Sequence, residues 1–148
     1  MYFLNRNNFL INEGAKIPIK KKKFLNKYNM TIRIYDNEGN NIPHFHLKLD
    51  NKETVLHLTK ASYFIHSKND KKDELNHRLN SSEIENLIKV LNTPIKKLNI
   101  KTKENLSENM YLYNYLCYIW NQRAGIPENK KISENSEVPD YTVDMPSR

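Results

Sequence analysis

The sequence is poor in the residues that build covalent scaffolds and membrane spans. Cys117 is the only cysteine among 148 residues, so an internal disulfide is impossible. No apolar run approaches the roughly 18 residues of a membrane span. The first residues, MYFLNRNNFLINEG, are too polar for the apolar segment of a signal peptide. These absences argue against a disulfide scaffold and a membrane partner, and they predict a cytoplasmic protein.

Length and composition suit one globular domain. Hydrophobic residues make up 38% of the chain and charged residues 28%, and this length can bury a core without disulfides or structural metal. After Ile126 the sequence becomes polar, and its stretch VPDYTVDMP is bracketed by prolines. We therefore predict a single domain over residues 1–126, with a basic N-terminal segment, and an extended C-terminal arm over residues 127–148.

Positive charge is concentrated in the first part of the chain. The formal net charge is +7, and residues 1–60 hold eleven basic against five acidic residues. The densest part is the run Lys20-Lys21-Lys22-Lys23, followed by Lys27. Such a patch favours a polyanionic partner, because each phosphate contact releases a condensed counterion. The alternative is a solvated loop that only aids solubility.

Three segments between Thr31 and Thr59 alternate apolar and polar residues with a period of two. They read TIRIYD, HFHLKL and ETVLHLT. This period is typical of strands with one buried face. The links carry turn residues, namely Gly39 and Pro43 in the first and DNK in the second. We therefore predict an antiparallel β-meander of three or more strands.

Two amphipathic helices are predicted after the strands, over residues 81–92 and 108–123. Asn80 and Glu83 have the spacing of a capping box, and Ser107 is a candidate N-cap for the second helix. The two apolar stripes consist of Ile84, Leu87, Ile88 and Leu91, and of Leu112, Leu116, Ile119 and Trp120. The predicted fold class is α+β, with both helices packed on one face of the meander.

Three tyrosines of the second helix fall outside its apolar stripe: Tyr111, Tyr115 and Tyr118. They would form a protein-contact face if they are exposed, since tyrosine is enriched at interfaces. Alternatively, they cover the sheet.

The meander places His44, His46 and His57 on one polar face. A turn at Asn51-Lys52 would put His46 opposite His57, and a turn at Asp50-Asn51 would put His44 opposite His57. Both pairings keep the three imidazoles together, whereas a slip by one residue would bury them and expose Phe45.

Three neighbouring imidazoles suit several kinds of chemistry. They could bind a transition metal, act in acid–base catalysis, or meet an anionic ligand together with Arg33 and Lys48 on the same face. They could also simply hydrogen-bond the loop around Pro43 or the C-terminal arm. No Asp, Glu or Cys on these strands clearly completes a site, so we predict no metal and no cofactor. A histidine- or metal-dependent nuclease-like enzyme that uses His44, His46 and His57 remains the alternative.

The stretch IYDNEGNNIPHFHL resembles an uncharacterised family of small bacterial and mobile-element proteins. That family, a domain of unknown function, is marked by a strand, a turn with Asn and Gly, and Pro-His-Phe-His. The similarity extends to EGAKIPI, to LNSSEIENL, and to YIWN followed by VPDY. The resemblance implies a compact α+β domain without a particular chemistry. Because its members resemble accessory genes, including toxin–antitoxin-like and phage-borne ones, it favours a regulator or inhibitor that acts by binding.

We therefore predict a non-enzymatic binding or regulatory protein whose partner is nucleic acid or a nucleoprotein complex, such as a host nuclease. Two versions are a phage-type inhibitor of a nucleic-acid-guided defence nuclease and an antitoxin-like regulator. The predicted contact residues are Lys20, Lys21, Lys22, Lys23, Lys27, Arg33 and Lys48.

Overall fold

The computed structural model describes residues 4–5, 9–10, 14–22, 25–35, 42–65, 78–102, 106–107, 109–123 and 126–147. The strands are β1 (Leu4–Asn5), β2 (Phe9–Leu10), β3 (Gly14–Ile19), β4 (Met30–Ile34), β5 (His44–Leu49) and β6 (Lys52–His57). The helices are α1 (Ser81–Leu91) and α2 (Leu112–Asn121), with short 3-10 helices at Ile95–Leu98 and Glu128–Lys130. The protein has the predicted α+β fold. In the described part of the chain, no helix is long and apolar enough to cross a membrane.

The strands form one sheet in the order of the sequence, and each strand is antiparallel to its neighbour. The predicted meander is thus confirmed, and it begins earlier in the chain than we predicted. Strand β3 has the same period of two, with Ala15, Ile17 and Ile19 buried. Pro18 is tolerated in it because β2 pairs, among the described residues, only with Gly14 and Ala15. The later part of β3 therefore has the edge character that proline requires.

The β5–β6 hairpin has the second of the two predicted pairings. Asp50 and Asn51 form the turn, and His44 lies directly opposite His57. Asp50 has a φ of 50°, in the left-handed region that aspartate tolerates better than most residues. The core fixes this register, because Phe45 is fully buried and His46 is only partly buried.

The core lies between one face of the sheet and the two helices. Ile32 in β4, Leu47 in β5 and Leu56 in β6 point into it, and Leu87 of α1 packs against the same cluster. The predicted apolar stripe of the second helix is confirmed, since all four of its members are buried: Leu112, Leu116, Ile119 and Trp120.

The first helix begins as predicted. The Asn80 side chain accepts from the Glu83 amide, and the Glu83 carboxylate accepts from the Asn80 amide, which is a capping box. The carboxylate also forms an ion pair with Lys52 of β6, at 2.7 Å. This contact ties the start of α1 to the first residue of the last strand.

The prediction of Ser107 as an N-cap is wrong, because the second helix begins at Leu112. The residues before this helix pair instead with the segment that follows α1. The Ile95 amide donates to the Met110 carbonyl, and the Leu112 amide donates to the Thr93 carbonyl. These bonds hold the backbone extended up to Tyr111, so helical hydrogen bonds cannot form earlier.

The idea of an exposed tyrosine face is also wrong. Tyr115 is only 1% exposed and belongs to the core, and Tyr118 is partly buried, so only Tyr111 of the three is exposed. The buried face of α2 is wider than its apolar stripe, because it includes Tyr115. A tyrosine ring can fill core space while its hydroxyl finds a polar contact.

The C-terminal arm packs against the main body. Tyr141 and Met145 are buried in the core cluster, and the Tyr141 hydroxyl donates to the His57 carbonyl at 2.5 Å. Further along, the Tyr63 amide donates to the Pro146 carbonyl, and the Arg78 guanidinium donates to the Met145 carbonyl. The arm therefore closes the side of the sheet next to β6.

Candidate functional site

The face of the sheet that points away from the helices carries most of the charged residues that the structure describes in the strands. We call this surface the outer face and define it by seven residues, all exposed or partly exposed: Lys16, Thr31, Arg33, Tyr35, His46, Lys48 and Glu53. They alternate along their strands with the apolar residues of the core, so the same period that builds the core also builds this surface.

Strand pairing brings three cations of the outer face together. Lys16 lies directly opposite Arg33, and Arg33 lies directly opposite His46. Lys48 is the diagonal neighbour of Arg33 on the adjacent strand, which places their Cα atoms about 7–8 Å apart. The structure therefore keeps Arg33 and Lys48 on one face, as predicted, and adds Lys16.

These residues line a groove of about 380 Å³. The ring of Tyr35 packs edge-on against His46, with centroids 4.7 Å apart and planes at 87°. The Arg33 guanidinium carbon lies 5.9 Å from the centre of the Tyr35 ring. Glu53 is the one carboxylate among the described lining residues, against three Lys and Arg side chains. The groove therefore combines an excess of positive charge with an aromatic ring.

The other two histidines do not belong to the open surface. His44 is 2% exposed and His57 is 3% exposed. The chain after β6 turns back and pairs with it, through the Phe64 amide and the Val55 carbonyl. This return places the Phe64 ring parallel to the His44 ring, with centroids 4.3 Å apart. The three histidines share the face that the pairing predicted, but the returning chain covers two of them, so only His46 stays partly exposed.

His44 has the structural role that we considered for it. Its Nδ1 lies 2.7 Å from the Ile42 carbonyl oxygen, in the loop around Pro43. The described residues include no group of three or more His, Cys, Asp or Glu that could hold a metal ion. Burial keeps a substrate away from His44 and His57, so acid–base chemistry would have to depend on His46 alone.

The described lysines of the loop between β3 and β4 do not line the groove that Arg33 and Lys48 line. Lys20, Lys21 and Lys27 are exposed, whereas Lys22 is partly buried and donates through Nζ to the Lys97 carbonyl at 3.2 Å. Lys23 lies outside the described residues.

The described part of this loop forms a second basic surface, next to α1. The Asn26 side chain donates to the carbonyls of Lys20 and Tyr28, and the Lys27 amide donates to the Asn86 side chain of α1. A groove of about 840 Å³ runs between loop and helix, and Lys21, Lys22, Lys27 and Lys89 line it. The predicted contact residues are therefore divided between two surfaces.

Three residues were not assigned to these sites from sequence. Lys16 belongs to the basic first part of the chain, and its alternation with Ala15 and Ile17 in GAKIPI could have placed it on the outer face. Tyr35 alternates with Ile32 and Ile34 in TIRIYD, so its side of the strand is predictable, but no pattern points to a role in binding. Phe64 carried no local signal, since its position depends on how the chain turns after β6.

Comparison of the chain with protein-family models, with curated proteins and with solved structures found no match. The resemblance of the Pro-His-Phe-His stretch to a family therefore stays a prediction.

Proposed function

We propose that this protein is a non-enzymatic binding protein of the cytoplasm that contacts the nucleic acid of a nucleoprotein partner through its outer face. One observation carries the proposal: Lys16, Arg33 and Lys48 line, with Tyr35, a single open groove. Arg and Lys side chains supply most of the affinity of proteins for nucleic acid, because they neutralise phosphates and release counterions.

The spacing of the cations favours a chain of phosphates over a small anion. Neighbouring strands are about 4.8 Å apart, and residues two positions apart on one strand are about 6.6 Å apart. Lys16, Arg33 and Lys48 therefore present their charges as a spread array and not as a single cluster. An array of this kind matches several phosphates in a row, whereas one carboxylate or one phosphate would leave part of it unused.

The nuclease-like alternative gains no support from the site. A general base must come within about 2.6–3.2 Å of the proton that it removes, and His44 and His57 are buried beneath Phe64. His46 is partly exposed, but it packs against Tyr35 in the middle of a basic groove. A binding role accounts for the basic groove and its aromatic ring. The two buried histidines then support the sheet and take no part in binding.

Binding to the phosphates of a nucleoprotein can block a surface that another molecule needs. This mode of action suits an inhibitor of a nucleic-acid-guided defence nuclease, and it equally suits an antitoxin-like regulator of a nuclease. Capture of partners from a host lysate, with and without nuclease treatment, separates contact with nucleic acid from contact with protein. We expect the captured complex to be lost after nuclease treatment or after neutralisation of the outer face.

The decisive test compares two variants with equal loss of charge. The outer-face variant replaces Lys16, Arg33 and Lys48 with Gln, and the control variant replaces the exposed Lys20, Lys21 and Lys27 with Gln. We would measure binding to labelled single-stranded and duplex oligonucleotides at salt concentrations from about 50 to 200 mM.

We expect the outer-face variant to lose most of its affinity and to flatten the plot of log affinity against log salt by about 0.7–0.9 per lost phosphate contact. The control variant should lose less. Equal losses would show that only net charge matters, and a loss confined to the control variant would move the contact to the loop. Either result would refute the outer face as the binding surface.

A further inference from the structure

We propose that the outer-face groove holds one unpaired nucleobase between Tyr35 and Arg33, so that the protein binds single-stranded nucleic acid in preference to duplex. This inference rests on the proposed function and deepens it, because it names the class of nucleic acid. It depends on the geometry of Tyr35, Arg33 and Glu53 and not on charge alone.

The Tyr35 ring is held in place at the groove. It is partly exposed, and its edge-on contact with His46 fixes its orientation. An aromatic ring that is already held loses little conformational freedom when a base stacks on it. Base–aromatic stacking tolerates every base, because each base has a flat π-face.

The distance between Tyr35 and Arg33 fits an inserted base. The Arg33 guanidinium carbon lies 5.9 Å from the ring centre, which is longer than the roughly 3.5–4.0 Å of a direct face-to-face stack. Two stacking intervals of about 3.4 Å each would place the ring and the guanidinium about 7 Å apart with a base between them. A shift of about 1 Å in a long, partly exposed arginine side chain supplies the difference. Arg guanidinium planes and aromatic rings are the groups on which unpaired bases stack in RNA-binding proteins.

The acidic residue of the groove points to a base and not to phosphate alone. Glu53 lies directly opposite Lys48 and lines the same groove. A carboxylate repels phosphates and the side chains of an acidic peptide, but it accepts hydrogen bonds from the amino groups of bases. Two lysines for the backbone, Arg33 for stacking and one carboxylate for a base edge together match a nucleotide better than they match a purely anionic ligand.

The size of the groove agrees with a single nucleotide. Its volume of about 380 Å³ lies near the lower end of the range of about 300–1,000 Å³ for small-molecule sites. A duplex keeps its bases stacked inside, so it could meet Lys16 and Lys48 with its phosphates but could not place a base on Tyr35.

The test uses three oligonucleotides of about ten nucleotides: a base-containing single strand, an abasic single strand with the same phosphates, and a duplex. Each is measured with the wild-type protein, with Tyr35→Phe and with Tyr35→Leu, and circular dichroism checks that the variants are folded. We expect the wild-type protein to bind the base-containing strand roughly 5- to 150-fold more tightly than the abasic strand. Tyr35→Phe should keep this preference, and Tyr35→Leu should lose most of it.

The outcomes distinguish the inference from the proposed function. If the abasic strand or the duplex binds as tightly as the base-containing strand, base stacking is refuted while phosphate binding by the outer face stands. If Tyr35→Leu keeps the full preference for bases, the base lies elsewhere and the inference is likewise refuted. If none of the three oligonucleotides binds in a salt-dependent way, both the inference and the proposed function fail.

Discussion

The imidazole of His44 lies parallel to the ring of Phe64, with the two planes only 9° apart. Phe64 also meets His57 edge-on, at a centroid distance of 5.0 Å. These three rings form a small packed layer, and the His44 ring also meets Trp120 of α2 edge-on, with centroids 5.6 Å apart. His44 contacts His46, with ring centroids 5.5 Å apart, but burial divides His44 and His57 from His46, which lines the groove.

This division predicts that one of two similar substitutions mainly affects stability and the other mainly affects binding. His44→Ala should lower the free energy of unfolding by about 1–3 kcal/mol, because it removes both the ring stacking and the polar contact with the Ile42 carbonyl. His46→Ala should cost less than about 1 kcal/mol, since its ring is partly exposed, but it should weaken nucleic-acid binding. Urea unfolding and oligonucleotide titration check the two effects. Nucleic-acid cleavage that survives rigorous purification and disappears with His46→Ala would show instead that the protein is an enzyme.

The C-terminal arm should contribute measurably to stability through one hydroxyl group. Tyr141→Phe leaves the ring in the core but removes the donor to the His57 carbonyl. We expect a loss of about 1–3 kcal/mol in urea unfolding, because a buried carbonyl would be left without its partner. Tyr111→Phe is the matched control, since Tyr111 is exposed, and it should change stability by less than about 0.5 kcal/mol. Equal effects of the two changes would mean that this hydrogen bond does not stabilise the protein.

Stability should fall at alkaline pH. Burial raises the pKa of the Cys117 thiol from its usual 9.0 to about 12, and burial also raises the pKa of Tyr113 and of Tyr141. Above about pH 9 these groups can ionise in the unfolded chain but not in the folded protein, so rising pH favours unfolding. The slope should reach up to about 1.4 kcal/mol per pH unit for each group. Urea unfolding between about pH 8 and pH 11 measures it.

Two controls belong to the alkaline prediction. Cys117→Ala removes one titrating group, so its stability should fall less steeply with pH than that of the wild-type protein. The thiol should also resist alkylation at about pH 8 in the folded protein and react rapidly after unfolding. Rapid alkylation of the folded protein would contradict the burial of Cys117.

The carboxylate of Glu83 should matter more than that of its exposed neighbour Glu85. Glu83 accepts from the Asn80 amide and from Lys52, whereas Glu85 lies on the solvent side of the same helix. We expect Glu83→Gln to lower the free energy of unfolding by about 0.5–2 kcal/mol, because the amide replaces the cap acceptor but loses the ion pair. Glu85→Gln should be nearly neutral in the same thermal and urea measurements. A neutral effect of Glu83→Gln would show that the cap works without its charge.

Short sequence patterns predicted the features that depend only on residues close together in the chain. The alternation in HFHLKL placed Phe45 and Leu47 in the core and Lys48 on the opposite face, because side chains alternate along any strand. The capping box of Asn80 and Glu83 was predictable for the same reason, since both partners lie within one turn. Of the groove, Arg33 and Lys48 were found in this way.

The remaining features depend on distant parts of the chain. Lys16 joins the groove only because β3 pairs with β4, and Phe64 covers His44 only because the chain turns back along β6. Ser107 failed as an N-cap because Thr93 and Ile95 hold the residues before Leu112 extended. Such pairings are set by tertiary contacts, which no short sequence pattern encodes.

The hydrogen bond from Tyr141 to His57 joins residues that are 84 positions apart. Contacts across so long a loop form late, because closing the loop costs entropy before the contact forms. During synthesis on the ribosome, the hairpin of β5 and β6 can therefore pair well before the arm arrives. Until then the sheet ends in an unprotected edge near Tyr63, where strands of other nascent chains could add. In the finished fold the arm covers this edge, which a bare sheet would leave open to pairing with other chains.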